Sequence, residues 1–188
     1  MKNNHKVIGL VLSNVPGYTE TFFRNKIKGL QSKGYSVVLF VDYDKPDDSQ
    51  FFCEVISANK FKGSLFKTIL NFLGTFFRTV CVHPKQSFKH FILDRKDGLS
   101  IFRSLKNVLL HEHFFNYDLD WLHFGYGMLA HNRENVAQAI EAKMGVSFRG
   151  FDLYLSPLKH NNCYNRLFKK RVFYHVLSDK MKNILINK

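Results

Sequence analysis

Two short apolar runs on either side of a helical pattern constrain the fold of this chain most strongly. Residues 7–13 are continuously apolar and rich in β-branched side chains, and residues 35–41 repeat that character. Between the two runs, apolar side chains recur at helical spacing at Phe22, Phe23, Ile27 and Leu30. Gly34 follows them as a helix stop. A strand, a helix and a second strand in this order predict a βαβ unit with a right-handed crossover.

The rest of the chain continues this alternation of strands and helices. Apolar runs predict further strands over 51–57, 120–124, 144–148 and 171–177. Helical spacing of apolar side chains predicts helices over 65–80, 87–95, 98–112, 133–143 and 179–186. Alternation of this kind predicts an α/β fold with a Rossmann-like, doubly wound and mostly parallel sheet. The 188 residues are enough for one such domain, which we expect to span the whole chain.

The chain is strongly basic, and its basic residues fall mainly in two segments. It has 28 Lys and Arg against 15 Asp and Glu, which gives a formal net charge of +13. Most of the excess lies in residues 60–108 and 149–188. Such a surface attracts polyanions, whether nucleic acid, anionic lipid or a phosphorylated substrate. Because the sequence has no RNP-like strand, helix-turn-helix or zinc-finger pattern, we do not expect nucleic acid to be the partner.

The cysteines and the apolar segments of the sequence indicate the cellular compartment and the relation of the protein to a membrane. The three cysteines lie far apart without a CxxC pair, which argues against a disulfide framework and a structural zinc site and favours a reducing cytoplasm. The apolar stretch 65–81 is interrupted by Lys67 and Arg78, and it is shorter than the ~20 residues that cross a bilayer. We interpret its Phe-rich face as core. The alternative is an amphipathic helix that lies on the inner, anionic face of a membrane.

The candidate ligand site is predicted beyond the carboxyl ends of the strands, where parallel α/β sheets bind their ligands. Four places after predicted strands carry glycine or polar side chains: residues 14–20, 123–127, 149–152 and 178–179. Because parallel strands end at the same edge of the sheet, we expect these segments to converge in one crevice. Residues 16–17 have two interpretations, an ordinary turn after a strand or a loop whose backbone amides approach a phosphate.

These segments resemble, in the same order, four motifs of the family-four retaining glycosyltransferases, which have the GT-B fold. Pro16-Gly-Tyr-Thr-Glu-Thr-Phe22 resembles the family's Pro-containing loop and Ser-Glu-Thr-Phe helix start. Asp120-Trp-Leu-His-Phe-Gly125 resembles its Asp-hydrophobic-hydrophobic-His strand, which ends in Phe-Gly. Arg149-Gly-Phe-Asp152 resembles His-Gly-x-Asp, and Val176-Leu-Ser-Asp179 resembles the Val-Ser-Asp segment that enters a helix.

The resemblance implies that this chain is the N-terminal, acceptor-side domain of a glycosyltransferase. Such an enzyme transfers a sugar from a nucleotide-sugar donor to a saccharide acceptor, which can be lipid-linked, in the assembly of surface polysaccharide or lipopolysaccharide. The nucleotide sugar is then a substrate. Neither a cofactor nor a metal is expected, since His111-Glu-His113 has the spacing of neither a helical zinc motif nor a finger.

The resemblance also implies roles for individual residues. Catalytic roles fall to His123, Arg149 and Asp152. Contacts with the donor or the acceptor fall to Pro16, Gly17, Tyr18, Thr19, Glu20, Gly125, Gly150 and Ser178. Arg149 stands where the family usually has His, and a guanidinium can hold phosphate and stabilise leaving-group charge although it cannot act as a base. From the residues alone, His123 is equally well interpreted as a core histidine, and Asp152 can be interpreted as the cap of a turn.

One departure from the family concerns its donor-binding half. The family's second domain carries two Glu with seven residues between them. No pair of Glu in this chain has seven residues between its members. We therefore expect the C-terminal donor-binding domain to lie outside this chain, which by itself is then inactive. The alternatives are a non-catalytic α/β domain that binds a membrane or a protein partner, and a basic nucleic-acid binder.

Overall fold

Six parallel strands form the sheet at the centre of the protein. The computed structural model describes residues 6–17, 21–43, 52–58 and 65–187, with the backbone alone for residues 65–73. The strands are β1 (Val7–Leu12), β2 (Ser36–Val41), β3 (Glu54–Ser57), β4 (Trp121–Phe124), β5 (Lys143–Ser147) and β6 (Val172–His175). They pair in the order β3-β2-β1-β4-β5-β6, and every pair is parallel. The strand order changes direction between β1 and β4, so the predicted α/β, Rossmann-like, doubly wound fold is confirmed.

Eight α-helices lie in the part of the chain that the structure describes, and the last of them follows β6. They are α1 (Thr21–Ser32), α2 (Leu65–Val82), α3 (Pro84–Lys96), α4 (Ile101–Leu110), α5 (Gly127–Ala130), α6 (Val136–Ala139), α7 (Ser156–Lys159) and α8 (Asp179–Ile186). A five-residue π-helical turn, Phe151–Leu155, runs directly into α7. Sequence periodicity predicted neither this turn nor the one-turn helix α5.

The helix predicted over 133–143 was wrong in its extent. Only α6 is α-helical there, and Lys143 already begins β5. Glu141 adopts the left-handed conformation with a φ of 64°, and the Ala142 N–H donates across it to the Ala137 carbonyl at 2.9 Å. This bond is the closure of a Schellman motif, which ends the helix early. Because neither glycine nor asparagine marks the stop, apolar spacing alone overestimated the helix.

Two hydrophobic clusters bury the two faces of the sheet. On one face, α1 packs Phe23 and Ile27 against alternate residues of the strands, Leu10, Leu12, Val37, Leu39, Val41 and Val55. On the opposite face, a larger cluster is built around the fully buried rings of Phe40, Phe114, Phe124 and Phe148. The period of two along each strand therefore divides its side chains between the clusters. We refer to the first face as the α1 face.

The α1 face is buried over β1 and β2 but open over β4, β5 and β6. There the strands present Trp121, His123, Gly145, Ser147, Phe173 and His175, and none of these described residues joins either cluster. Phe173 is 51% exposed and packs against Trp121, with ring centroids 5.0 Å apart. A Cβ at Gly145 would lie 2.7 Å from atoms of Trp121 and His123. The absence of a side chain at Gly145 therefore lets both rings lie across β5.

A buried polar network fixes α3 against α4 and α6. The Asp94 carboxylate accepts hydrogen bonds from Asn107 Nδ2 at 2.7 Å and from Asn135 Nδ2 at 2.8 Å. Asn135 also donates to Asp97, which forms an ion pair with Lys170 at 2.6 Å. Both oxygens of the Asp94 carboxylate therefore have a donor that replaces water, which lowers the cost of burying this charge. The Asn135 Oδ1 atom is buried without a hydrogen-bond partner among the described residues.

The histidines of the His111-Glu-His113 segment lie in the core. The His111 Nδ1 atom is 3.1 Å from His90 Nε2, and burial, followed by the neighbouring His90, lowers the His111 pKa well below its usual value. Burial lowers the pKa of His113 to about 3, with a smaller contribution from Arg133. Both rings are therefore neutral at physiological pH. Among the described residues, no group of three or more His, Cys, Asp or Glu could hold a metal ion.

Helix α2 is the Phe-rich segment of the sequence, and it contacts α3 and α4. Of its described side chains, Thr79 is buried, whereas Phe77 is 64% and Val82 is 60% exposed. The helix thus presents apolar side chains to solvent as well as to its neighbours. No helix in the described part of the chain is both long enough and apolar enough to cross a membrane.

Candidate functional site

Five polar side chains meet at one edge of the sheet, where β4, β5 and β6 end beside the first turns of α1. They are Lys26, His123, Ser147, Arg149 and His175. This cluster lies beside the point between β1 and β4 where the strand order reverses, and this is where open α/β sheets bind ligands. We call these five residues the edge crevice.

His123 is the centre of the hydrogen bonds in the edge crevice. Its Nε2 atom lies 2.9 Å from Lys26 Nζ and 2.9 Å from Ser147 Oγ. Because the Lys26 ammonium can only donate, Nε2 is an acceptor and the ring proton sits on Nδ1. Burial lowers the pKa of His123 to about 3, and the charges of Lys26 and His175 contribute. His123 is therefore a neutral acceptor that holds the Lys26 side chain in the crevice.

Lys26 is a cation in an unfavourable environment. Burial, together with a smaller contribution from the neighbouring Arg149 charge, lowers its pKa to about 8. Burial also lowers the pKa of His175, with contributions from Lys26 and Arg149. In the described part of the chain, no carboxylate forms an ion pair with Lys26 or Arg149. A bound anion would relieve the repulsion between these two cations, which makes the edge crevice a candidate anion site.

Arg149 is positioned by aromatic rings. Its guanidinium carbon lies 4.8 Å from the centroid of Phe22, 5.1 Å from that of Phe23 and 5.1 Å from that of Tyr126. These cation–π contacts fix the side chain without neutralising its charge. The guanidinium N–H groups therefore remain suited to a bidentate contact with phosphate oxygens.

Asp152 supports the loop that carries Arg149. Its side chain is 2% exposed, one carboxylate oxygen accepts from the Arg149 N–H at 2.9 Å, and the other accepts from the Met128 N–H at 3.2 Å. The carboxylate thus joins the end of β5 to the start of α5. This geometry fits the interpretation of Asp152 as a cap, since both oxygens already bind backbone groups.

The remaining predicted site residues are spread around the carboxyl edge. Gly125 is buried, and a Cβ there would overlap Leu12, so its contribution is close packing. Gly150 is exposed at the start of the π-helical turn, and the Ser178 hydroxyl caps α8 by accepting from the Met181 N–H at 3.3 Å. The carbonyl of buried Pro16 accepts from Arg24 Nη1 at 3.1 Å, and Gly17 is exposed. The predicted residues Tyr18, Thr19 and Glu20 lie outside the described part of the chain.

Three members of the edge crevice were missed by sequence reasoning. Ser147 is the last residue of β5, and His175 is the last residue of β6. The rule that ligands bind at strand ends could have identified both. Lys26 carried no such signal, because it lies within α1 among several other basic residues and meets His123 across 97 positions of the sequence.

A second cavity opens at the same edge, beyond β2 and β3. It has a volume of about 740 Å³ and is lined by Tyr43, Phe102, Arg103, His131 and Asn132, among others. Tyr43 is 59% and Phe102 is 74% exposed. Asn132 Oδ1 accepts from Arg103 Nη2 at 2.8 Å. The cavity therefore combines exposed aromatic rings with amide and guanidinium hydrogen-bonding groups.

Comparison with known proteins adds no relative to this picture. No protein-family model, curated protein or solved structure matches the chain significantly. The family resemblance therefore depends on the order of the four sequence motifs alone.

Proposed function

We propose that this protein is the acceptor-side domain of a GT-B glycosyltransferase and that its edge crevice holds the diphosphate of a nucleotide-sugar donor. The observation that carries the proposal is the pair of cations, Lys26 and Arg149, beside the switch point of the sheet and without a carboxylate partner among the described residues. The order of the four motifs supports the glycosyl-transfer part of the proposal, because three of them contribute residues to the crevice or contact it, through Phe22, His123 and Arg149.

The proposed roles follow from the geometry of each side chain. Arg149 and Lys26 bind oxygens of the diphosphate and stabilise the charge that accumulates on it as the sugar leaves. His123 and Asp152 act as positioning residues: His123 orients the Lys26 ammonium, and Asp152 fixes the backbone of Arg149. A hydroxyl of the acceptor attacks the anomeric carbon with retention of its configuration, the bond from that carbon to the diphosphate breaks, and the hydroxyl proton passes to the departing phosphate oxygen. In this account no metal takes part, because the two side chains supply the positive charge.

We assign the saccharide acceptor to the second cavity at the carboxyl edge. The exposed rings of Tyr43 and Phe102 offer apolar surfaces to a sugar ring, and Arg103 and Asn132 offer donors and acceptors to its hydroxyls. An acceptor attached to a lipid fits the basic character of the chain, which attracts the anionic inner face of a membrane. All three cysteines are free, which supports the cytoplasm as the compartment that we propose.

The proposed anion site makes binding depend on pH through Lys26. Its pKa is about 8 in the free protein, and a bound anion raises it. Affinity for a nucleoside diphosphate is therefore expected to be constant between about pH 7 and pH 8, where the phosphate is already ionised above its second pKa of about 6, and to fall as the pH rises further. Lys26→Arg should abolish this fall, because a guanidinium stays protonated. Calorimetric titrations of both proteins over this range measure it, and an unchanged alkaline fall in Lys26→Arg would exclude Lys26 as its source.

The proposed biological role is tested by deleting the gene in the source organism. We expect the surface polysaccharide or lipopolysaccharide to be lost or shortened, and gel electrophoresis of the extracted material measures this. The wild-type gene should restore it, whereas a gene with Arg149→Ala should not. Unchanged polysaccharide after deletion, or full restoration by Arg149→Ala, would contradict the proposal.

A further inference from the structure

A cavity of about 540 Å³ lies on the α1 face, between α1 and the open half of the sheet. Its walls are mainly apolar and include Ile8, Leu10, Leu30, Tyr35 and Trp121. The volume falls within the range of small-molecule sites. The cavity shares Lys26 and His123 with the edge crevice and extends from them towards the amino ends of the strands. We call it the α1-face cavity.

The amino end of the α1-face cavity is ringed by positive charge. Lys6 precedes β1, Lys33 follows α1, and Lys143 begins β5, and all three are exposed lining residues. Within the described part of the chain, no carboxylate forms an ion pair with any of them. The cavity wall also includes one carboxylate, Asp120, an oxygen of which accepts from the Val7 N–H at 2.8 Å. An apolar cavity therefore ends in three ammonium groups and one carboxylate, which leaves a local excess of positive charge.

We propose that the α1-face cavity binds a monomeric amphiphile with one apolar chain and a phosphate monoester head group. The chain lies against Leu10, Leu30 and Trp121, which removes apolar surface of both partners from water. The head group lies among Lys6, Lys33 and Lys143, and its charge of nearly −2 complements their ammonium groups. This site is separate from the one proposed for the diphosphate, because the head group binds at the opposite edge of the sheet.

The intrinsic tryptophan fluorescence of the protein measures binding in this cavity, because Trp121 is the single tryptophan of the chain. We expect dodecyl phosphate, added below its micelle-forming concentration, to shift the Trp121 emission to shorter wavelength and to saturate. Dodecyl maltoside has the same chain and an uncharged head group, and it should bind about tenfold more weakly or worse. Inorganic phosphate alone should leave the emission unchanged. Equal binding of the charged and uncharged detergents, or no saturable shift, would overturn the proposal.

Two double variants distinguish binding in the α1-face cavity from attraction of dodecyl phosphate by the net positive charge of the protein. Lys33→Ala with Lys143→Ala should weaken dodecyl phosphate binding by about tenfold or more. The matched control is Lys180→Ala with Lys182→Ala, which removes the same charge from exposed positions of α8 and should leave the affinity unchanged. An equal loss in both double variants would overturn the site. Since neither pair contains a residue of the edge crevice, failure here leaves diphosphate binding intact, and the two proposals fail independently.

Discussion

Replacing both cations of the edge crevice, Lys26→Met with Arg149→Ala, is expected to weaken binding of a nucleoside diphosphate by about a hundredfold. Each side chain contributes a charge-assisted contact that is typically about 1.5 kcal/mol or more, and about 1.4 kcal/mol corresponds to a factor of ten. The two losses should be close to additive only if the side chains bind different oxygens. Isothermal titration calorimetry of the wild type, both single variants and the double variant measures this.

A double variant of equal charge is the control for this experiment. Lys28 lies two residues from Lys26 on α1, so it points away from the crevice, and its Nζ lies 4.8 Å from the Phe52 ring. Arg171 is exposed just before β6. Lys28→Met with Arg171→Ala therefore removes two charges without touching the crevice. If this variant lost as much affinity as the crevice variant, the diphosphate would be held by net charge and the assigned site would be wrong.

Asp152→Ala is expected to destabilise the fold by about 3 kcal/mol, since it leaves two backbone N–H groups without their acceptor at a buried position. Asp152→Asn keeps one acceptor oxygen and should cost about half as much. Urea unfolding followed by circular dichroism measures both. Asp118→Ala is the matched control at an exposed position and should change stability by less than about 0.5 kcal/mol.

This series separates the two interpretations of Asp152. A carboxylate that caps two chain segments affects stability first, and it affects ligand binding through the displaced Arg149. A carboxylate that acts only on the substrate leaves the unfolding transition in place. Wild-type stability of Asp152→Ala would therefore contradict the structural role assigned here.

Much of the fold could be predicted because its elements are encoded locally. The closing helix begins and ends where the sequence pattern put it, at Asp179 and Ile186, since Ser178 supplies a cap just before it. The positive φ of 82° at Gly34 likewise ends the α1 region as the glycine predicted. At the end of α6 the left-handed residue is Glu141, which is not a residue type that marks helix ends. The helix was therefore predicted to extend beyond its actual end.

The candidate site was predicted less completely, because it depends on distant contacts. The rule about strand ends located His123 and Arg149, and the structure brings both to one crevice. Their partners were not predictable: Lys26 reaches His123 across 97 positions, and three aromatic rings from two separate segments surround Arg149. The family resemblance predicted that Gly125 contacts a ligand. The structure shows that Leu12 occupies the space that a Cβ at this position would need.

The most direct test of the central claim is the pKa of Lys26, measured by NMR from the side-chain signals of this lysine with and without a nucleoside diphosphate. We expect a pKa of about 8 for the free protein, lowered by burial and by the Arg149 charge, and a higher value when the diphosphate is bound. A free-protein pKa near the ordinary lysine value of 10.5 that does not respond to the diphosphate would show that the edge crevice is not an anion site.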